Sequence, residues 1–172
     1  TRATHPNREQ LETAIAGLEG GKFGLCFASG CAAATAVLST LKPGDHVLAS
    51  YDLYGGTYRL FMDVFQKWGL SFSFVTEKED VAAIRQKIKK NTRLIWLETP
   101  TNPLLHVFDI ERFASACKNH PAKILVDNTF ATPILQQPLK EGADIVLHSS
   151  TKYIGGHSDV LGGALVLNDA AW

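Results

Sequence analysis

The sequence predicts an α/β fold, with a mostly parallel sheet that carries helices on both faces. Two observations indicate it: short apolar runs of strand length alternate with segments of helical periodicity, and turn residues separate them. No internal repeat or low-complexity linker interrupts the alternation. The chain has 172 residues, 45% of them hydrophobic, which is enough to bury one sizeable core. We therefore expect one domain.

The strands are predicted where apolar residues run together between turn residues. They cover residues 23–28, 46–50, 70–75, 93–98, 123–127, 145–148 and 164–167. Each run is bounded by glycine, proline or polar residues, as strands usually are. Such strands, alternating with helices, favour parallel pairing.

The helices are predicted from apolar spacing and capping residues. In the first, Asn7 is expected to be the N-cap, apolar residues recur at Leu11, Ile15 and Leu18, and Gly20 ends the helix. The second, over residues 31–41, is rich in alanine, which suits close packing on a sheet. Further helices are expected over residues 56–68, 80–89 and 110–118.

Composition excludes several classes of protein. The 17 basic and 17 acidic residues balance, and no basic run interleaves with aromatic residues, so we expect no nucleic-acid partner. No apolar stretch is long enough for a membrane span and no signal peptide heads the chain, so a cytoplasmic protein without membrane contact is expected. The three cysteines form no C-x-x-C pair and the histidines show no ligand spacing, so we expect neither disulfides nor a bound metal.

Polar, specific residues follow the predicted strands. Parallel sheets bind ligands at the carboxyl ends of their strands, so these loops are expected to converge. The loops cover residues 29–30, 51–57, 98–102, 127–129 and 148–152.

Lys152 is the most informative of these residues. It stands between hydroxyl side chains and the pair Gly155-Gly156, directly after an apolar strand. That setting is typical of a reactive amine and indicates Schiff-base chemistry. Asp127 ends another buried strand, where its carboxylate could face a heterocyclic nitrogen or instead cap the next turn through Thr129.

Two further loops suggest a flat, phosphorylated ligand. Ser29, Gly30 and Cys31 mark a strand-to-helix junction, where free amides could hold a phosphate, although an ordinary tight turn would have the same sequence. Hydroxyls from Ser149 and Thr151 could join them. The ring of Tyr54, beside two glycines, could stack on a cofactor or simply pack on the core.

A lysine, a carboxylate, a phosphate turn and an aromatic ring at one sheet edge together meet the requirements of pyridoxal 5′-phosphate. The motifs that contain them resemble the Cys/Met-metabolism (trans-sulfuration) family of fold-type-I PLP-dependent enzymes over essentially the whole chain. These motifs are Ala28-Ser29-Gly30, Tyr54-Gly55-Gly56-Thr57, Glu98-Thr99-Pro100-Thr101-Asn102-Pro103, Asp127-Asn128-Thr129-Phe130, Ser149-Ser150-Thr151-Lys152-Tyr153 and Gly156-His157-Ser158-Asp159.

The resemblance implies a role for each matching position. Lys152 would carry the Schiff base and act in catalysis together with Tyr54, which would stack on the cofactor ring. Asp127 would pair with the pyridine nitrogen and Asn102 would lie near the 3′-oxygen. The remaining cofactor ligands that it implies are Arg2, Ser29, Gly30, Cys31, Thr129, Ser149 and Thr151. Family members commonly carry leucine or methionine where Cys31 stands, but the amide there would do the binding.

The resemblance also implies an assembly and a reaction. Residues 1–172 would be the PLP-binding large domain, with residues 1–7 from an interface arm and the C-terminal domain absent. Arg2 would reach the phosphate of a neighbouring subunit within a homotetramer. The substrate would be a small sulfur amino acid, and the reaction γ-elimination of cystathionine to cysteine, 2-oxobutanoate and ammonia. Cystathionine γ-synthase, β-lyase or O-acylhomoserine sulfhydrylase activity, an aminotransferase of the same fold and an inactive PLP-binding fragment are the alternatives.

Overall fold

The computed structural model describes residues 4–169. Its strands all fall where the sequence predicts them: β1 Phe23–Phe27, β2 His46–Ser50, β3 Ser71–Val75, β4 Thr92–Glu98, β5 Lys123–Asp127, β6 Ile145–His148 and β7 Gly163–Leu167. The α-helices are α1 Pro6–Glu19, α2 Gly30–Leu38, α3 Gly55–Arg59, α4 Val81–Lys87, α5 Ile110–Cys117 and α6 Thr132–Leu135. A π-helix, Leu60–Phe65, continues α3, and a 3₁₀ turn covers Pro138–Lys140.

The strands form one sheet in the order β1-β7-β6-β5-β4-β2-β3. The pairs β2/β3, β2/β4, β4/β5 and β5/β6 are parallel. Strand β7 is antiparallel to both of its neighbours, β1 and β6. Because no helix forms in residues 149–162, the chain makes no crossover there, and β7 returns alongside β6 in the opposite direction. The prediction of a mostly parallel sheet is confirmed.

Helices cover both faces of the sheet, as predicted. On one face α2 and the π-helix pack on side chains that include Trp96 and Leu125. On the other face α4 and α5 pack on side chains that include Ile95 and Ile124, and Ile15 of α1 packs beside them on Val146. Side chains of consecutive strand residues, such as Ile95 and Trp96, thus point to opposite faces of the sheet and pack in different helical layers.

Several helix bounds differ from the expectation. Helix α1 begins at Pro6, with His5 as its N-cap, because proline suits the first helical turn; Asn7 therefore lies inside the helix and does not cap it. Gly20 ends α1 as expected, in the left-handed region at φ 70°. Helix α2 ends at Leu38, short of residue 41. Among residues 4–169, no helix is both long enough and apolar enough to cross a membrane.

Candidate functional site

A pocket of about 160 Å³ opens at the carboxyl ends of the parallel strands. It contains every site residue that the sequence predicts within the described part of the chain: Ser29, Gly30, Cys31, Tyr54, Asn102, Asp127, Thr129, Ser149, Thr151 and Lys152. Arg2 lies outside the described residues. Loops that are distant in sequence therefore meet at one edge of the sheet.

Lys152 lies on a tight turn that follows β6. Its backbone N–H donates to the Ser149 carbonyl at 3.1 Å, and its own carbonyl accepts from the Gly156 N–H at 2.8 Å. The Thr151 hydroxyl donates to the Gly162 carbonyl at 3.2 Å and accepts from the Gly162 N–H at 3.1 Å, which ties the turn to the approach to β7. The turn backbone is held at both ends, while the Lys152 side chain is exposed at the pocket.

Asp127 presents a buried carboxylate at the end of β5. Its Oδ1 accepts from the backbone N–H of Thr129 at 3.1 Å and from the Thr129 hydroxyl. Burial raises the pKa of Asp127, and the two bonds from Thr129 act in the opposite direction. The Thr129 hydroxyl also accepts from the Ser149 N–H at 2.8 Å. Thr129 thus links the Asp127 carboxylate to the turn that carries Lys152.

The beginning of α2 offers unpaired donors to the pocket. Ser29 caps this helix, its hydroxyl accepting from the Ala32 N–H at 3.0 Å. The amides of Gly30 and Cys31 have no hydrogen-bond partner among residues 4–169. A Cβ at position 30 would lie 2.8 Å from the Ser149 Cβ, so only glycine lets the helix approach the Lys152 turn this closely. Two free amides at a helix N-terminus suit an anion.

Tyr54 and Asn102 lie on loops that share one buried partner, Glu98. The Tyr54 side chain is 44% exposed and its ring covers Gly56, where a Cβ would come within 2.3 Å of the ring. The Glu98 carboxylate accepts from the amides of both Tyr54 and Asn102, each at 2.8 Å. Burial, and then the charge of Asp127, raise the pKa of Glu98 to about 8.

Glu98 is a pocket residue that the predicted site omits. The sequence did carry a signal for it, because Glu98 ends a buried strand just as Asp127 does. Its hydrogen bonds to Tyr54 and Asn102 form only because two loops fold back over the end of β4. The spacing of residues in the sequence does not show the path of these loops.

A second buried polar group lies outside the set of pocket-lining residues. His148 ends β6, and its Nε2 contacts the Glu19 carboxylate of α1. Glu19 also accepts from the Asn128 side chain at 2.8 Å. All three side chains are fully buried. This group connects α1 to the residues that directly precede Ser149 and follow Asp127.

The donor set fits pyridoxal phosphate. The free amides suit its phosphate, Asp127 suits a protonated ring nitrogen, Tyr54 suits the ring face and Lys152 suits the aldehyde carbon. Among the residues that the structure describes, no three His, Cys, Asp or Glu side chains are grouped as metal ligands would be.

Comparison with known proteins gives one family. The profile described as "Cys/Met metabolism PLP-dependent enzyme" matches residues 1–172. Cystathionine gamma-synthase of Mycobacterium leprae (strain TN) is 54% identical over 169 residues, covering 98% of this chain and 43% of that protein. Cystathionine beta-lyase of Lactococcus lactis subsp. cremoris (strain MG1363) is 49% identical over 168 residues, covering 98% and 44%.

A solved structure agrees with the sequence comparisons. The crystal structure of cystathionine gamma-lyase from Lactobacillus plantarum complexed with L-serine superposes with a TM-score of 0.95 at 46% identity. The match covers 99% of this chain and 44% of that one. The chain thus spans less than half the length of each of these three relatives.

Proposed function

Because the chain belongs to the Cys/Met-metabolism family of PLP-dependent enzymes, we propose that it is the cofactor-binding large domain of an enzyme that makes or breaks a C–S bond at the γ-carbon of an amino acid. Pyridoxal phosphate is the cofactor of this family of trans-sulfuration enzymes.

One observation carries the proposal. The Lys152 amine, the Asp127 carboxylate and the free amides of Gly30 and Cys31 line a single pocket although they come from three separate parts of the chain. Each is the group that one part of the cofactor requires.

The residues divide the binding between them. Gly30 and Cys31 would hold the phosphate through their amides, with the Ser149 hydroxyl beside them. Asp127, oriented by Thr129, would hold the proton on the ring nitrogen. When bound, pyridoxal phosphate supplies an electron-poor ring that stabilises negative charge on the substrate carbon.

Lys152 would both bind the cofactor and move protons. Once an incoming amino group has released it, its free amine can take the proton from the α-carbon. Chemistry at the γ-carbon needs a second removal, from the β-carbon, so one base has to reach two positions. The exposed side chain of Lys152, on a turn whose backbone is hydrogen-bonded, suits this task.

Two reactions at the γ-carbon have support. The similarity to the Mycobacterium leprae cystathionine gamma-synthase favours replacement, in which cysteine sulfur displaces the γ-substituent of a homoserine ester. The similarity to the Lactobacillus plantarum cystathionine gamma-lyase favours elimination, the reaction expected from the sequence. The Lactococcus lactis relative, a cystathionine beta-lyase, makes β-cleavage the principal alternative.

The decisive experiment uses the full-length protein. Reduction with borohydride should fix the cofactor to one lysine, and peptide mapping should find it at Lys152. The Lys152→Ala variant should lose both the label and turnover, whereas Lys67→Ala, at an exposed lysine outside the pocket, should keep both. A label on another lysine would refute the site.

Product analysis then separates the reactions. Formation of cystathionine from cysteine and a homoserine ester identifies replacement. Release of cysteine, 2-oxobutanoate and ammonia from cystathionine identifies γ-elimination, and homocysteine with pyruvate identifies β-cleavage. A 2-oxo acid formed with an aminated cofactor would instead indicate an aminotransferase. The homotetramer with shared sites stays a prediction, which analytical ultracentrifugation of the full-length protein tests.

A further inference from the structure

Two loops flank the pocket on the side of Tyr54, and carboxylates hold both of them. The first loop follows β2 and contains Asp52 and Tyr54; the second follows β4 and contains Thr101 and Asn102. Glu98, the last residue of β4, lies at the base of both loops and is only 5% exposed.

Glu98 uses one oxygen for each loop. Its Oε2 accepts from the Tyr54 N–H and its Oε1 accepts from the Asn102 N–H, both at 2.8 Å. A carboxyl group has lone pairs on both oxygens, whereas the side-chain amide of glutamine has one oxygen and one NH₂ donor. Glutamine at this position would therefore place its NH₂ group against the backbone N–H of either Tyr54 or Asn102, and two donors cannot bond to each other.

Asp52 makes the reverse connection. Its Oδ2 accepts from the Leu104 N–H at 3.1 Å and from the Thr101 hydroxyl. Each loop is thus bound by a carboxylate that belongs to the other loop or to its strand. The two loops are fixed to each other as well as to the sheet.

Short connections join Glu98 to the pocket side chains. Tyr54 is the N-cap of α3, and its ring is confined because it covers Gly56. A shift of the Tyr54 backbone would therefore move the ring that covers Gly56. The hydrogen bond from the Asn102 N–H to Glu98 likewise positions Asn102.

We propose that Glu98 is a positioning residue that sets Tyr54 and Asn102 for the cofactor by holding the backbone amides of both. The inference rests on the proposed function for the identity of the cofactor. The hydrogen bonds to Glu98 do not depend on the cofactor's identity, so the positioning role and the proposed function can be tested separately.

Amide hydrogen exchange of the full-length protein, prepared without cofactor, tests the two bonds directly. In the wild type, the amides of Tyr54 and Asn102 should be protected. In Glu98→Gln at least one of them should exchange about tenfold faster or more, as expected when a buried N–H donor loses its acceptor. The amide of Ser149, across the pocket, should keep its wild-type rate, which separates a local release from general loosening.

Cofactor binding is the second measurement. The dissociation constant of pyridoxal phosphate should rise about tenfold in Glu98→Gln. The matched control is Glu79→Gln, because Glu79 also accepts from a backbone amide, that of Thr76 at 3.1 Å, but lies outside the pocket-lining set. This control should leave both the Tyr54 and Asn102 exchange rates and the dissociation constant unchanged.

The outcomes are distinguishable. Unprotected amides at Tyr54 and Asn102 in the wild type would overturn the inference even if no variant folds, and so would unchanged exchange in a folded Glu98→Gln. Faster exchange with unchanged cofactor affinity would overturn the positioning role. If the wild-type protein bound no pyridoxal phosphate, the proposed function itself would fail, while the exchange data would still report on the bonds.

Discussion

Glu98 and Asp127 are direct neighbours in register on the parallel strands β4 and β5. Their two carboxyl groups therefore lie side by side at the edge of the sheet and face one pocket. Both residues are nearly buried. Burial raises the pKa of each, and the charge of Asp127 adds to the effect on Glu98. A cationic ring nitrogen at Asp127 would relieve this crowding of negative charge.

The contribution of Glu98 to the stability of the cofactor-free protein should fall as pH rises from about 5 to 8. An unfolded glutamate ionises near its ordinary value of 4.5, whereas Glu98 in the folded chain keeps its proton until about pH 8. Between these values the folded state binds more protons, so raising the pH favours unfolding. Glu98→Gln cannot titrate and should show a shallower fall in urea-unfolding experiments at several pH values. Equal slopes in the two proteins would contradict the raised pKa.

Replacing Asp127 by asparagine should separate stability from function. The cofactor-free variant should be at least as stable as the wild type at pH 8, because burial disfavours the ionised form of Asp127 and asparagine has no such form. Turnover should drop about a hundredfold or more, the usual effect of losing one electrostatic contact to the reacting system. Asp63→Asn, at an exposed position of the π-helix, is the control. Full activity in Asp127→Asn would exclude the assigned role.

Gly30→Ala should weaken cofactor binding. The added Cβ would come 2.8 Å from the Ser149 Cβ and 3.1 Å from its Cα, so the beginning of α2 and the Lys152 turn would have to separate. Gly17→Ala is the matched control, since a Cβ there meets no atom within 4 Å. That control should stabilise α1 by about 0.5–1 kcal/mol and leave the pyridoxal phosphate dissociation constant unchanged. Similar affinities for both variants would disprove the close contact.

Removing the Glu19 carboxylate should destabilise the protein by about 3 kcal/mol or more. Glu19→Ala leaves the buried side chains of His148 and Asn128 without this partner, and each buried polar group left unsatisfied typically costs about 1–3 kcal/mol. Glu9→Ala, at an exposed position on the same helix, should change the free energy of unfolding by less than about 0.5 kcal/mol. Chemical denaturation of both variants provides the comparison, and equal small losses would show that the buried group contributes little.

His46 should stay neutral well into the acid range. Burial is the main cause that lowers its pKa from 6.5 to about 4, and its ring contacts the hydroxyls of Thr92 and Ser73 at 2.8 and 2.7 Å. The unfolded state gains a proton first, so this residue reduces stability as pH falls from about 6.5 to 4. An NMR titration of the ring should show no protonation at pH 6. A midpoint near 6.5 would contradict the prediction.

The strands and most loops of the site could be predicted because they depend on local sequence. An apolar run ending in a polar residue indicates a strand and its exit, and this holds for Asp127 and for His148 before Lys152. The antiparallel direction of β7 could not be predicted in this way, because it depends on the path of the loop before it. The π-helix after α3 shares the apolar spacing of an ordinary helix and was therefore predicted as one.

The partners of the site residues were harder to predict than the residues themselves. Ser29 was expected as a cofactor ligand, and in the structure its hydroxyl also caps α2. Thr129 was expected both as a ligand and as a turn residue, and it bonds Asp127 and Ser149. Glu98 was missed because its two bonds join loops whose return path is a property of the fold.

The place of β7 in the sheet also sets the order in which the pocket can be completed. Strand β1 pairs with β7, which lies between β1 and β6. During synthesis β1 therefore cannot pair until β7, which ends at Leu167, has been made. Contacts between such distant segments form slowly. Gly30 follows β1 and lies against Ser149, so we expect this contact to form only after β1 has paired. The part of the pocket formed by Gly30 and Ser149 should thus be the last to assemble on the ribosome, after the strands that carry Glu98 and Asp127.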